Sequence, residues 1–231
     1  ISDMIVQIMQ KEGLTKEQAK LRIWIIDSKG LLISDRADLN SYKQAYMRDL
    51  GVDNISDFNL LRQKGEKIGL QEVISIIKPT TLIGCSTQSG AFHEDMIKVM
   101  AHEHANPIIF PLSNPTKLSE ACPQDLIDWS EGRALVATGS PFEPALYKGV
   151  TYVISQCNNA LVFPGIGLGM VLSKAKVLTD NMLLAASFSL SKFKHNSGGL
   201  LPSIAQAPEV SRVIAKDVLE QAIEDGVARL E

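Results

Sequence analysis

Cysteine is scarce in this chain of 231 residues, and the few cysteines show no pattern. Cys85, Cys122 and Cys157 are odd in number and widely spaced, which argues against a disulfide framework and against a cysteine-based metal site. Reduced thiols are typical of the cytoplasm. We therefore expect the protein to work in the cytoplasm.

Long apolar runs and an excess of basic charge are also missing. The longest apolar run, residues 160–172, is shorter than the ~20 residues of a membrane-spanning helix, and it contains Pro164. The formal net charge of −3 argues against electrostatic binding to nucleic acid or to an anionic membrane. With 45% hydrophobic and 21% charged residues, the composition is that of an ordinary globular domain.

Strand and helix patterns alternate along the first two thirds of the sequence. Short apolar runs predict strands at residues 22–26, 80–84, 107–112 and 134–138. Helical periodicity is found between them, for example at residues 70–77 and 91–104. Alternation of this kind predicts a parallel sheet that helices cover on both faces.

The pattern changes at about residue 152, where the alternation stops. Helical periodicity then dominates residues 168–176, 180–192 and 209–230. The sequence therefore predicts an α/β fold with a Rossmann-like, doubly wound parallel core at residues 1–155. A helical part of the same domain is expected at residues 156–231.

Asp27 ends the apolar segment at residues 22–26, which follows a helical stretch. In a dinucleotide-binding fold, an acid at this position binds the ribose hydroxyls, about 20 residues beyond a glycine-rich turn. That turn would fall at or before Ile1, so we expect a sheet truncated at its N-terminal edge. An aspartate that merely starts a turn would look the same. Asp27 alone leaves both interpretations open.

Polar segments follow the predicted strands, at the sheet edge where open α/β folds bind ligands. Thr87, in the loop at residues 85–90, is positioned to run beneath a nicotinamide ribose. Asn114 precedes a proline, which favours an extended backbone, and its carboxamide offers both donor and acceptor. The amides at residues 156–159 are costly to bury unpaired, so they either pair internally or face a ligand. For Thr87 an ordinary loop remains an alternative interpretation, and for Asn114 an ordinary Asn-Pro turn does.

The segment GIGLG at residues 165–169 looks like a nucleotide-binding glycine turn. However, no strand of adequate length precedes it and no acid-ended strand follows it. We predict instead that these glycines let a helix pack closely on a neighbour.

Three longer motifs together resemble one family. They are residues 108–116 (IIFPLSNPT), residues 132–142 (GRALVATGSPF) and residues 156–165 (QCNNALVFPG). Their order and spacing resemble the large malic enzymes and the related malolactic enzymes, and the resemblance runs from Ile1 to the final helix. It implies the NAD-binding domain of an enzyme that oxidatively decarboxylates L-malate to pyruvate and carbon dioxide while it reduces NAD. The family suggests a homodimer or tetramer for the full-length protein.

The resemblance also implies roles for single residues. Asp27 is similar to the acid that binds the adenine ribose, and Asn114 to the asparagine between substrate and nicotinamide. Asn158 and Asn159 resemble paired asparagines, at least one of which contacts malate. The catalytic lysine and tyrosine, and the carboxylate ligands of Mg²⁺ or Mn²⁺, belong to family segments that precede residue 1. We therefore assign no catalytic residue and no metal ligand here, and we expect weak or no NAD binding and no malate turnover by this chain alone.

The choice of cofactor and of reaction depends on a few positions. Asp27 favours NAD over NADP because a carboxylate repels a 2′-phosphate, whereas Lys43 matches a family position where lysine accompanies NADP. Residues 140–142 (SPF) resemble malic enzymes. Pro111 and residues 150–152 (VTY) resemble malolactic enzymes, which convert L-malate to L-lactate and carbon dioxide. A nucleotide-binding module without turnover is the remaining alternative.

Overall fold

The computed structural model of the chain describes residues 1–53, 55–194, 196 and 198–229. The chain divides into two compact units, Ile1–Pro79 and Thr80–Glu231. Among the described residues, no helix combines the length and the apolar character needed to cross a membrane. The expected division between residues 155 and 156 stays a prediction.

The first unit consists of short helices around one small hairpin. Its elements are α1 Ser2–Lys11, α2 Lys16–Lys20, β1 Ile26–Asp27, β2 Gly30–Leu31, α3 Ser41–Gln44, α4 Leu50–Asp53, α5 Ser56–Gln63 and α6 Leu70–Ile77. Strands β1 and β2 pair antiparallel, with Asp27 opposite Gly30. The helices α1 and α6 begin and end where the helical periodicity predicts.

The predicted strand at residues 22–26 is wrong in extent and in its expected parallel pairing. The observed strand is Ile26–Asp27, and its partner is the antiparallel β2. The segment is apolar for a different reason: its alternate side chains pack into two separate hydrophobic cores. Ile23 and Ile25 pack in a cluster built on Val6, Ala19 and Tyr46. Trp24 and Ile26 pack in another, built on Leu31, Leu50, Phe58, Ile68 and Val73.

The second unit contains a parallel sheet with helices. Its elements are β3 Thr81–Gly84, α7 Glu94–Glu103, β4 Ile108–Pro111, α8 Pro123–Trp129, β5 Leu135–Thr138, β6 Ala145–Tyr147, β7 Val150–Tyr152, β8 Ser155–Gln156, α9 Phe163–Ser173, α10 Asp180–Lys192 and α11 Ala207–Glu224. In the described part of the chain the sheet has the order β3-β4-β5-β8, and every neighbouring pair is parallel.

The predicted parallel sheet is therefore confirmed, but its last strand was not predicted. Strand β8 has two residues, too few for a periodic signal, and lies beyond the point where the alternation stops. The helical character of the following part is confirmed by α9, α10 and α11. Residue 230, the predicted end of the last helix, lies outside the described residues.

Glycine lets α9 pack closely on α11. A Cβ at Gly165 would lie 2.7 Å from the Cβ of Ile214, and one at Gly169 would lie 2.7 Å from the Cβ of Val218. A Cβ at Gly167 would meet nothing within 4 Å. The predicted packing role is confirmed for Gly165 and Gly169 and is wrong for Gly167.

Candidate functional site

The carboxyl ends of the four parallel strands form one edge of the sheet in the second unit. Backbone hydrogen bonds continue along this edge beyond the strands themselves. The Leu112 amide donates to the Gly84 carbonyl at 2.8 Å, and the Cys157 amide donates to the Thr138 carbonyl at 2.8 Å. The loops that carry Thr87, Asn114 and Asn158 therefore begin at the same edge, and the loop after β5 lies between the last two. This is the edge at which open α/β sheets bind ligands.

A buried carboxylate joins the loops after β3 and β4. Glu120 is 0% exposed. One of its oxygens, Oε1, accepts hydrogen bonds from the Ser86 amide at 2.7 Å, the Ser86 hydroxyl at 2.8 Å and the Ser113 hydroxyl at 2.5 Å. The Ser113 amide reaches the other oxygen, Oε2, at 3.3 Å. A Cβ at Gly84 would lie 2.6 Å from Glu120 Cδ, so the absence of a side chain there makes room for the carboxyl group.

The charge of Glu120 follows from the balance of burial and hydrogen bonding. Burial raises the pKa of a carboxyl group because it disfavours the charged form. Here the hydrogen bonds from Ser113 and Ser86 outweigh burial, and they hold the pKa of Glu120 below its usual value. Sequence reasoning missed this residue. The segment around it has no pattern that distinguishes a buried acid from an exposed one.

Thr87 lies in the loop after β3 with a left-handed backbone, at φ 57°. A β-branched residue rarely adopts this conformation, which must be held by its surroundings. The Thr87 amide donates to the Ser113 hydroxyl oxygen at 2.8 Å, and the Thr87 hydroxyl donates to the Ser86 carbonyl at 2.6 Å. The side chain itself is exposed.

Asn114 follows β4, and a residue just after β5 holds its carboxamide in one orientation. The hydroxyl of Ser140 donates to Asn114 Oδ1. Ser140 is 6% exposed, and its carbonyl accepts from the Thr138 hydroxyl at 2.8 Å. The two loops come close because residue 139 is glycine: a Cβ there would lie 2.1 Å from the Leu112 carbonyl oxygen. Within the described residues, the Asn114 Nδ2 group meets no acceptor. It lies beside Gly139, where a Cβ would be 3.1 Å away, and Asn114 as a whole is exposed.

Of the amide side chains after β8, some form hydrogen bonds within the protein and others are exposed. Gln156 Nε2 donates to the Gly139 carbonyl at 3.2 Å. Asn158 Oδ1 accepts from the Ala160 amide at 2.9 Å, which caps a short 3-10 helix, Asn159–Leu161. Asn159 is exposed and Asn158 is half-buried. In the part of the chain that the structure describes, no acceptor faces Asn158 Nδ2.

Asp27 lies in the first unit, where cations surround it. Arg36 donates to both carboxylate oxygens, at 2.8 and 3.0 Å, and Lys43 Nζ lies 2.5 Å from Oδ2. The Lys29 amide donates to Oδ1 at 2.9 Å, as in the aspartate turn considered above. The hydrogen bond from Arg36 is the main reason why the pKa of Asp27 lies well below its usual range. Asp27 is therefore ionised at every physiological pH.

Metal ligands and reactive thiols are not assembled in the described ranges of the chain. There, no three histidine, cysteine, aspartate or glutamate side chains are grouped to hold a metal ion. Cys85, Cys122 and Cys157 are free thiols. Burial raises the pKa of the half-buried Cys157, so this thiol is not an activated nucleophile at neutral pH.

Comparison with known sequences identifies close relatives. Residues 1–223 match the family described as "Malic enzyme, NAD binding domain". The chain is 43% identical to NAD-dependent malic enzyme 3 of Bacillus subtilis and 45% identical to the NAD-dependent malic enzyme of Acinetobacter baylyi. Each match covers 99% of this chain and 40% of the relative, so the chain spans about two fifths of these proteins.

Solved structures agree with the sequence relatives. The crystal structure of Entamoeba histolytica malic enzyme matches with a TM-score of 0.65 at 27% identity, over 98% of this chain and 41% of that one. The NAD-dependent malic enzyme of Thermotoga maritima matches with a TM-score of 0.63 at 24% identity, over 93% of this chain and 48% of that one. The second likeness is one of fold.

Proposed function

Because the chain belongs to the family of malic enzyme NAD-binding domains, we propose that its parent protein oxidatively decarboxylates L-malate to pyruvate and carbon dioxide and reduces NAD. One observation of the structure carries the proposal. The loops that carry Thr87, Asn114 and Asn158 all begin at the carboxyl edge of one parallel sheet, where such folds bind ligands. In this proposal the chain supplies the cofactor site and part of the malate site.

NAD accepts a hydride from the substrate carbon when it is bound. The described residues fit such a ligand, because Asn114 presents a donor group that is already oriented. Ser140 occupies the Oδ1 side of the carboxamide, so Nδ2 remains to donate to a carboxylate or to a carboxamide oxygen. A donor held in place before binding loses little freedom when the ligand arrives.

For malate we propose contacts from Asn158 and Asn159. The side-chain oxygen of Asn158 is used by the Ala160 amide, which leaves its Nδ2 group as a donor for a malate carboxylate. Neutral amide donors orient a carboxylate without neutralising its charge. Asn159 is exposed next to Asn158 and offers a second amide.

Asp27 is proposed to bind the adenine ribose hydroxyls. Its low pKa keeps the carboxylate charged, and a charged acceptor binds hydroxyl groups strongly. Its oxygens already accept bonds from Arg36, Lys43 and the Lys29 amide. A ribose would therefore either use the remaining lone pairs or displace Lys43, which is the more exposed of the two cations, at 41% against 12% for Arg36.

The remaining chemistry is assigned to the part of the parent protein that this chain does not cover. The relatives are about two and a half times as long. The described residues offer no cluster of metal ligands for Mg²⁺ or Mn²⁺. We propose that the metal ligands and the catalytic lysine and tyrosine lie in the uncovered part, and that the parent protein works as a homo-oligomer in the cytoplasm.

The test supplies the parent protein with L-malate, Mn²⁺ and NAD and identifies the products. Equal amounts of pyruvate and NADH are the expected result. Lactate without net NADH would instead assign the protein to the malolactic reaction, and no product would overturn both. The 231-residue chain by itself should form no NADH from malate under the same conditions. Turnover by the isolated chain would contradict the assignment of the chemistry to the uncovered part.

A further inference from the structure

Within the described residues, Glu120 forms no hydrogen bond with a residue to which the proposed function gives a direct role, yet it is fully buried and accepts four hydrogen bonds from two loops. We propose that Glu120 is a positioning residue for NAD, because it acts through Ser113 to hold Thr87 in the backbone conformation that meets the cofactor. The inference rests on the proposed NAD site at this edge of the sheet.

The hydrogen bonds run in one direction, from Thr87 to Ser113 and from Ser113 to Glu120. A serine hydroxyl has a single hydrogen, and here it is donated to Glu120 Oε1 at 2.5 Å. The lone pairs of the same oxygen are therefore left to accept from the Thr87 amide, at 2.8 Å. Because an ionised carboxylate can only accept, Glu120 keeps the hydroxyl of Ser113 in this orientation.

Thr87 needs such support because its backbone is strained. Its φ of 57° lies in the left-handed region, which a β-branched residue rarely occupies. Without the acceptor on Ser113, the amide would lose its partner and the loop would be free to relax toward ordinary φ values. A strained conformation that is over-determined by its neighbours is typical of ligand-binding loops.

A role for Glu120 in proton transfer does not fit its surroundings. The carboxylate is 0% exposed, and its oxygens are occupied by amides and hydroxyls of Ser86 and Ser113. A general acid or base must come within hydrogen-bond reach of the reacting group. Glu120 can therefore influence the reaction only through the loops that it holds.

The first test compares Glu120→Gln with Glu131→Gln in the full-length parent protein. Glutamine retains the size of the side chain, but it places an amide N–H group opposite one of the donors. We expect the KM for NAD to rise by about tenfold while the KM for malate changes little, and the buried donor left without an acceptor should also lower the melting temperature. Glu131 is exposed, so its variant should match the wild type. A lower kcat with both KM values unchanged would mean a merely structural role and would overturn the inference.

A double-mutant cycle tests whether Thr87 carries the effect. Glycine adopts the left-handed conformation without strain, so Thr87→Gly removes the need for support. If Glu120 acts through Thr87, the effect of Glu120→Gln on the KM for NAD should fall below about twofold in the Thr87→Gly background. A full tenfold effect in both backgrounds would overturn the inference.

A second variant covers a folding failure, and the response of the wild type distinguishes failure of this inference from failure of the proposed function. If Glu120→Gln fails to fold, Ser113→Ala carries the test, because it removes the connecting hydroxyl and leaves the carboxylate in place. It should raise the KM for NAD in the same way, and an unchanged KM would overturn the inference. A wild-type parent protein that neither binds nor reduces NAD would overturn the proposed function together with this inference. Normal use of NAD by both wild type and Glu120→Gln would overturn this inference alone.

Discussion

Asp27 and Arg36 form an ion pair with two hydrogen bonds, in which the guanidinium nitrogens lie 2.8 and 3.0 Å from the carboxylate oxygens. Lys43 adds a third bond, at 2.5 Å. The acid that the sequence assigns to the ribose is thus held by two cations of its own unit. These cations would partly offset the repulsion of a 2′-phosphate by Asp27. In the proposed function, the carboxylate therefore favours NAD mainly as a hydrogen-bond acceptor.

Replacement of Asp27 should therefore change cofactor selectivity. In Asp27→Asn the charges of Arg36 and Lys43 are no longer balanced, and they would attract a 2′-phosphate. We expect the KM for NAD to rise by about tenfold and the ratio of kcat/KM for NADP to that for NAD to increase. Steady-state kinetics of the parent protein with both cofactors measures this. Asp35→Asn, which removes an exposed acid paired with Arg62, is the control and should leave the ratio unchanged. An unchanged ratio in Asp27→Asn would argue against a ribose contact.

The same ion pair should make stability depend on pH in the acid range. The pKa of Asp27 is lower in the folded protein than in the unfolded chain, where it is about 3.9. The ion pair therefore contributes fully to the free energy of unfolding above about pH 3.9, and this contribution is lost as the pH falls through the folded pKa. Arg36→Gln should cost about 2 kcal/mol of unfolding free energy at pH 7. The difference from wild type should narrow below about pH 4. Urea unfolding of both proteins at a series of pH values measures this difference in unfolding free energy. A difference that stays constant down to pH 2 would contradict the assignment of the stabilisation to the Asp27–Arg36 ion pair.

Two Asn-Pro pairs at opposite ends of β4 provide a matched test of the substrate site. Asn114 follows the strand at its carboxyl end, and Asn106 precedes it at the amino end. Asn114→Ala should lower kcat/KM for malate by about a hundredfold, because an oriented donor near the reacting groups is lost. Asn106→Ala, also at an exposed position, should leave the kinetics unchanged. Equal effects of both variants would remove Asn114 from the proposed site.

Close packing of α9 on α11 predicts opposite outcomes for neighbouring glycines. Alanine at Gly165 or Gly169 would place a methyl group against Ile214 or Val218, which should cost about 1–3 kcal/mol of unfolding free energy. Alanine at Gly167 meets nothing within 4 Å and should stabilise the helix by up to about 1 kcal/mol. Chemical unfolding of the three variants checks the signs. Destabilisation by all three would mean that the helix packs differently.

Local patterns were sufficient for much of the fold. The bounds of α1, α6 and α10 agree with their helical periodicity, because the spacing of apolar residues on a helix is a property of the segment itself. The parallel sheet followed from the alternation of strands and helices. Because the predicted strands are parallel, the sequence also determined that the segments with Thr87 and Asn114 lie at one edge. The strand before Asn158, β8, was not predicted, so its place at the same edge came from the structure.

Tertiary structure decided what depends on partners distant in the chain. The segment at residues 22–26 is apolar enough for a strand, but only its end pairs with another strand, antiparallel β2, and its side chains enter two separate cores. The burial of Glu120 depends on donors from the loop after β3, 34 residues away in the chain. The orientation of Asn114 depends on Ser140, 26 residues away. Burial and hydrogen bonding between distant segments arise when the chain folds, and the composition of either segment does not encode them.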